Sequence, residues 1–353
     1  EILRIIAMLM IILSHFSVHG VGSYFSFTEL EPCFNKFFLE SINLGFLGVD
    51  IFMLISGYYN VESKFKAEKL IKLLLQVFFY SAIIYVILCC AGLIDFSFFG
   101  AVKAFFPTLF KEYWFFCCYL IIYILSPFIN IFIKAASKKQ LLSVIIIMWF
   151  LWEIVPMISG GDFFNNRYFS DLFVMYFIGA YLRLYPDNIF SKRKARYIML
   201  FSSLSLLPIS VILLNISAHY IPSLTSHYGV LYSRLSIVMI IAACSVFISF
   251  LKTDIKENKF INVIASCSFG VYLIHDHSLL RPFIWGSIIQ AQNYTYSKVL
   301  VLYAVISSVL IFIVCALIDF IRQKTIEKPV NAAVSAICET IRKKAVAFID
   351  KKS

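Results

Sequence analysis

Long uncharged apolar runs constrain this chain more than any other feature. The segments 73–94 and 299–318 each contain about 20 residues and no charged side chain. At about 1.5 Å of rise per residue, helices of that length cross a hydrocarbon core roughly 30 Å thick. The chain of 353 residues is 61% hydrophobic and 14% charged, with a mean hydropathy of +0.87, so water is not the solvent for most of its surface. These values predict an all-α, polytopic bundle of membrane-spanning helices.

The apolar runs predict about ten transmembrane helices. The predicted spans are residues 2–19, 40–59, 73–94, 114–133, 141–158, 170–185, 198–216, 230–251, 261–281 and 299–321. Loops between them then lie alternately on two sides of the membrane, and one side collects most of the 31 Lys and Arg residues. Because cytoplasmic loops carry the excess of Lys and Arg, both termini are predicted to be cytoplasmic.

The net charge of +11 therefore indicates membrane orientation and excludes nucleic acid as the expected partner. We predict one transmembrane domain over residues 1–321 and a basic amphipathic cytoplasmic tail over 322–353. The tail places Val330, Val334, Ile337, Ile341 and Phe348 at helical spacing, which is typical of a helix on an anionic lipid surface.

No metal site is expected. The nine cysteines are scattered, mostly in or beside apolar segments, as small buried hydrophobic residues would be. His15 and His19 are spaced i, i+4, but no Cys or carboxylate cluster in the sequence completes a ligand set around them.

Ionisable residues inside spans are functional candidates because each costs about 2.5 to 3.5 kcal/mol at the bilayer centre. Arg4 and His15 are 11 residues apart, about three turns, and so share one face of the first helix about 16 Å apart. A purely structural interpretation of His15 is a packed histidine that is hydrogen-bonded to a carbonyl. Arg4 by itself is explained as an arginine at the end of a span whose side chain snorkels to the membrane surface. Together they present a cation near the predicted cytoplasmic end and an imidazole deeper in.

The second span places Asp50 near mid-membrane and the small pair Ser56 and Gly57 near its inner end. Small residues allow a helix or a ligand to approach the backbone, and packing explains them equally well. In the ninth span, Tyr272 and His275 are candidates, whereas solvation at the interface explains Asp276 and His277. A buried Arg234 requires an anionic partner that the sequence does not name.

These residues resemble the motifs of acyltransferase family 3, the integral membrane O-acetyltransferases of bacterial envelope polysaccharides. The resemblance covers residues 1 to about 329. The residues that carry it are Arg4 and His15 in the first span; Gly48, Asp50, Phe52, Ser56, Gly57 and Tyr58 in the second; Lys64, Lys66, Lys69 and Lys72 in the next loop; Trp114, Phe115, Tyr119 and Pro127; and Ser268, Tyr272 and His275.

The resemblance implies a multi-pass enzyme of the inner, plasma membrane. Its donor would be cytoplasmic acetyl-CoA or another acyl-CoA, and its acceptor a hydroxyl of an envelope polysaccharide or of a lipid-linked oligosaccharide. His15 and Asp50 would be catalytic; Arg4, Lys69 and Lys72 would bind the donor's phosphates. Ser56, Tyr58, Tyr272 and His275 would contact substrate or support the structure.

Two departures bear on that assignment. Relatives often carry arginines in the second inside loop, where this chain has only lysines. A lysine ammonium lacks the planar guanidinium group that makes paired hydrogen bonds to phosphate. We also expect no extracytoplasmic hydrolase-like domain of the kind that some members append, so transfer would finish within the membrane part.

Two other functions fit the same pattern. Polar groups in spans also line substrate paths, so one alternative is an exporter of a polysaccharide or a lipid-linked sugar without acyl transfer. A non-catalytic scaffold or sensor would tolerate loss of Arg4 and His15 together.

Overall fold

The structure, a computed structural model, describes residues 1–22, 38–159, 167–221 and 230–350. Within these ranges every regular element is a helix, and they contain no strand. Helices are the expected result, because in lipid each backbone N–H and C=O must be satisfied within its own segment. The prediction of an all-helical fold is confirmed for these residues.

We number the α-helices in chain order. They are α1 (Ile2–His15), α2 (Gly45–Asn60), α3 (Ala67–Cys90), α4 (Phe98–Phe105), α5 (Trp114–Ala135), α6 (Lys138–Trp149, extended through Phe150–Ile154 to Val155–Ser159), α7 (Arg167–Leu184), α8 (Arg193–Tyr220), α9 (Ile237–Leu251), α10 (Lys259–Ser266), α11 (Ser268–His275), α12 (Leu300–Arg322) and α13 (Lys328–Asp350). Wider π-helical turns follow α1 at Phe16–Gly20 and α12 at Gln323–Glu327, and another covers Phe283–Ile288. Short 3₁₀ turns cover Ile189–Ser191, Val230–Tyr232 and Ala291–Tyr294.

Seven helical stretches in the described ranges are long and apolar enough to cross a membrane. They are Ile2–Gly20, Phe38–Asn60, Ala67–Cys90, Trp114–Ala135, Lys138–Ser159, Arg193–Leu214 and Leu300–Thr340. Three predicted spans fall on other helices: α7 carries Asp171 and Arg183, α9 has 15 residues, and predicted span 261–281 is divided between α10 and α11. The count of ten spans and the cytoplasmic position of the termini stay predictions.

Helix α2 lies at the centre of the bundle, packed against α1, α7 and α9. Glycines set these approaches: a Cβ at Gly48 would overlap the backbone oxygen of Ala7, and one at Gly57 would overlap that of Tyr176. The glycine pair of the second span therefore serves helix packing, as small residues do in membranes.

A buried carboxylate ties α11 to α3 and α12. Asp319 of α12 accepts hydrogen bonds from Tyr80 of α3 at 2.6 Å and from Arg322 at 2.7 Å. Gly270 of α11 packs directly on this carboxylate, where any side chain would collide with it. Because α11 carries Tyr272 and His275, this contact fixes the helix on which those two candidates lie.

The tail continues from α12 through the π-helical turn into α13 without a break in the helix. Ser335 donates a hydrogen bond to Glu68 at the start of α3, at 2.6 Å, and the neighbouring Val334 is buried. Ile337 is exposed, at 57%. The predicted contact of this tail with lipid stays a prediction.

Candidate active site

A cavity of about 920 Å³ runs between α1, α2, α5 and α11. Arg4, Lys69 and Lys256 line one part of it together with the carboxylates of Glu1 and Glu257, and His15 and Asp276 line another. Since Arg4 and His15 are both on α1, the cavity follows that helix for about 16 Å. We call the end of the bundle with Arg4, Lys69 and Lys256 the basic end. The cavity therefore connects a cationic entrance to the intramembrane histidine.

The middle of the cavity is mainly apolar and aromatic. Its lining includes Phe52, Phe115 and Phe247, and it also contains the hydroxyls of Ser268 and Tyr272. Both hydroxyls are buried and have no hydrogen-bond partner among the described residues. An apolar pocket with a few polar groups is typical of a small-molecule or cofactor site.

His15 is held by a hydrogen-bond chain that determines which of its nitrogens is free. Nδ1 of His275 lies 2.6 Å from the carbonyl oxygen of Val271, and Nε2 of His275 lies 3.0 Å from Nδ1 of His15. The carbonyl only accepts, so Nδ1 of a neutral His275 carries its proton and Nε2 is an acceptor. Nδ1 of His15 therefore donates, and Nε2 of His15 keeps a lone pair for chemistry.

A carboxylate completes this group. Oδ1 of Asp276 lies 3.6 Å from Nδ1 of His15, and Arg281 donates to the same oxygen at 3.2 Å. Interface solvation was the wrong interpretation of Asp276 and His277, because both are buried, at 3% and 1% exposure. Helix α11 ends at His275, and the chain then turns inward, so that these side chains pack inside the bundle instead of facing water.

His15, His19 and Asp276 also bring three possible metal-ligand atoms within 4.8 Å of one another. The sequence-based search for a carboxylate near the two histidines overlooked Asp276. A guanidinium nitrogen of Arg281 lies 3.1 Å from Nε2 of His19 as well as against Asp276. A divalent cation here would face that fixed positive charge, so the arrangement favours hydrogen bonding over metal binding.

Asp50 lies elsewhere. Gly48 faces α1, and at about 100° per residue Asp50 points roughly 200° away from it around α2. Its carboxylate is fully buried without a hydrogen-bond partner among the described residues. Nearby, Arg234 pairs with Asp171 at 3.0 Å, which supplies the partner that the sequence required without naming. No described contact joins Asp50 to His15.

The three predicted donor-binding cations differ in position. Arg4 lines the cavity and pairs with Glu1 at 3.1 Å, and Lys69 lines it with its ammonium 5.0 Å from the ring centre of Tyr123. Lys72 pairs with Glu68 at 2.5 Å and is not part of the cavity wall. Lys256, in the loop between α9 and α10, lines the entrance and was not predicted.

The other two candidates of the second span differ in whether they line the cavity. Ser56 lines the cavity, while its hydroxyl bonds to the carbonyl of Phe52 at 2.9 Å. Tyr58 packs under the guanidinium of Arg183, 5.1 Å from its ring centre, and lies outside the cavity, whereas the neighbouring Tyr59 lines it.

A family model described as an acyltransferase domain matches residues 1–320. The match includes every residue of the cavity and of the histidine group around His15. This chain belongs to acyltransferase family 3. The family assignment makes the protein a membrane acyltransferase and confirms the resemblance given by the Arg4 and His15 motif. Comparison with curated proteins and with solved structures gives no match.

Sequence reasoning missed Asp276, Arg281 and Lys256 as site residues. For Asp276 a signal was present, because it directly follows the candidate His275 and is costly to bury. Arg281 and Lys256 carried no comparable signal, since cations in loops between spans are ordinary.

Proposed function

We propose that this acyltransferase moves an acyl group, most simply acetyl, from cytoplasmic acyl-CoA to a hydroxyl of an envelope polysaccharide or its lipid-linked precursor. The observation that carries the proposal is the cavity that leads from Arg4 and Lys69 to His15. The basic end is then cytoplasmic by the positive-inside rule, and the protein is a multi-pass protein of the plasma membrane.

The donor's phosphates bind at the basic end. Arg4, Lys69 and Lys256 line the entrance and provide positive charge there, while the apolar walls suit the uncharged arm that carries the thioester. Lys72 is left out of this assignment because its ammonium is paired with Glu68 away from the cavity. The thioester reaches His15 at the deep end.

His15 acts through Nε2, in one of two ways. As general base it takes the proton of the acceptor hydroxyl while that oxygen attacks the thioester carbon, and the departing CoA sulfur takes the proton back. As acyl carrier, Nε2 itself attacks the thioester carbon, the C–S bond breaks and CoA leaves as the thiolate. The acceptor oxygen then attacks the acyl carbon, the bond from that carbon to Nε2 breaks to restore the neutral imidazole, and the hydroxyl proton passes to the CoA thiolate.

The neighbours of His15 suit either route. In both, His15 becomes positively charged, and Asp276 at 3.6 Å from Nδ1 stabilises that charge. His275 holds the ring in the required tautomer. The unpartnered hydroxyl of Tyr272 is available to donate to the oxygen that becomes negative when the thioester carbon is attacked. We therefore assign the orienting role at His15 to Asp276, since no described contact joins the predicted catalytic residue Asp50 to His15.

The test uses membrane vesicles with and without the protein, radiolabelled acetyl-CoA and a bacterial envelope glycan fraction. We expect label to enter the glycan with the wild type and not with His15→Ala at equal protein level. Full transfer by His15→Ala would refute the catalytic assignment. Movement of glycan across the membrane without incorporation of label would favour the exporter.

A second measurement separates the two routes. Without acceptor, an acyl carrier exchanges label between acetyl-CoA and free CoA, because the acyl-imidazole forms reversibly. A general base alone supports no such exchange.

A further inference from the structure

His19 and Arg281 lie on the other side of His15 from the basic end. His19 is one turn beyond His15, in the π-helical turn that follows α1, and the two ring centres are 5.3 Å apart. His19 is exposed and is not part of the donor cavity wall, whereas His15 is. The two histidines therefore face different spaces while their rings are neighbours.

Arg281 determines the tautomer of His19. A guanidinium only donates, so Nε2 of His19, 3.1 Å from Arg281, accepts. The proton of the neutral ring is then on Nδ1, and this N–H makes no hydrogen bond to any residue that the structure describes. His19 is thus a hydrogen-bond donor beside His15, fixed in orientation and polarised by a cation.

The geometry of the backbone supports this position. A π-helical turn is wider than an α-helical turn and is frequent at functional sites. Gly20, the last residue of the turn, packs against Ala291 and Trp285, where a Cβ would overlap the side chain of Ala291. The turn is therefore held against the segment that follows Arg281, and His19 is kept next to Arg281.

We propose that His19 binds the acceptor hydroxyl at the face of His15 opposite the donor cavity, with Arg281 as its positioning residue. The Nδ1–H of His19 donates to the oxygen of a sugar hydroxyl, whose own proton then points towards His15. No bond is made or broken at His19. This inference rests on the proposed acyl transfer and adds to it the place where the acceptor enters, within one helical turn of His15.

The test measures transfer of radiolabelled acetyl to a bacterial envelope glycan fraction in proteoliposomes, with the glycan and acetyl-CoA concentrations varied separately. His19→Leu removes the donor, and we expect an apparent glycan KM at least 10-fold higher, with the acetyl-CoA KM unchanged. His19→Asn keeps both an acceptor for Arg281 and an N–H donor, and we expect its glycan KM within about 3-fold of the wild type. Lys103→Ala, in α4 and outside the cavity wall, is the control and leaves both constants unchanged.

Three results would overturn the inference. One is an unchanged glycan KM in His19→Leu, and another is an equal defect in His19→Asn, which would show that the ring only fills space. The third is a rise in the acetyl-CoA KM of His19→Leu equal to that for glycan, which would place His19 in the donor site. Absence of transfer by the wild type would instead refute the proposed function itself.

Discussion

Replacement of His275 by Leu tests the tautomer assignment at His15 most directly. The change removes the Nε2 that accepts from Nδ1 of His15 at 3.0 Å, and His275 itself is fully buried. Leaving a buried donor unsatisfied costs roughly 1 to 3 kcal/mol. The His15 ring avoids that cost if it rotates or if its proton moves from Nδ1 to Nε2. Either change removes the Nε2 lone pair from the position that acyl transfer needs. At about 1.36 kcal/mol per tenfold in rate, kcat for acyl transfer should fall about 5-fold to 150-fold.

The assay is the steady-state rate of label transfer from acetyl-CoA to glycan in proteoliposomes. The acetyl-CoA KM should not change, because His275 is not part of the cavity wall. His275→Gln, which retains an acceptor oxygen, should recover much of kcat. His277→Leu is the matched control, since His277 is a buried histidine two residues away without contact to His15. The reasoning is refuted if His275→Leu keeps more than about half of the wild-type kcat, or if His277→Leu loses as much as His275→Leu.

Three further predictions concern the donor entrance, the carboxylate and the packing of α2. Lys69→Ala should raise the acetyl-CoA KM about 5-fold, the effect of losing a contact worth about 1 kcal/mol, while Lys72→Ala should not; equal effects would contradict the assignment of the entrance. Asp276→Asn should lower kcat at least about tenfold, and a wild-type kcat would rule out its role beside His15. Gly57→Ala should destabilise the folded protein by about 1 to 3 kcal/mol in a thermal unfolding assay, whereas Gly286→Ala, where a Cβ meets no atom within 4 Å, should not; the same loss in both would argue against helix packing as the cause.

Helix identity was predictable where one long apolar run forms one helix. The predicted span 299–321 corresponds to the helix Leu300–Arg322, and the predicted span 114–133 corresponds to the helix Trp114–Ala135. The predicted span 261–281 differs in its helix: α10 and α11 are separated at Cys267, and α11 ends at His275. Hydropathy reports how apolar a segment is, but it does not report where the helix in that segment is interrupted.

The family motif named His15, Tyr272 and His275, which the structure brings together, and it implied a catalytic role for Asp50 as well. The resemblance gives the position of Asp50 along the second span but not the direction in which its side chain points. Whether Asp50 contacts His15 depends on which face of α2 packs against α1. The face with Gly48 does so, because only a glycine fits against the backbone of Ala7. Asp50 consequently lies near Arg234, and Asp276 lies beside His15.

The sequence by itself determined that this is a helical membrane protein of acyltransferase family 3, and that Arg4 and His15 share one face of its first helix. The family follows from the resemblance of its motif residues, whereas the helical spans and the shared face follow from local properties, the length and apolarity of single segments and the period of one helix. Only the tertiary structure decided that His275, 260 residues away, accepts from His15, and that Asp276 and Arg281 lie against the same group. Those contacts depend on how α1, α2 and α11 pack on one another, and helix packing is set by side chains from the whole chain acting together.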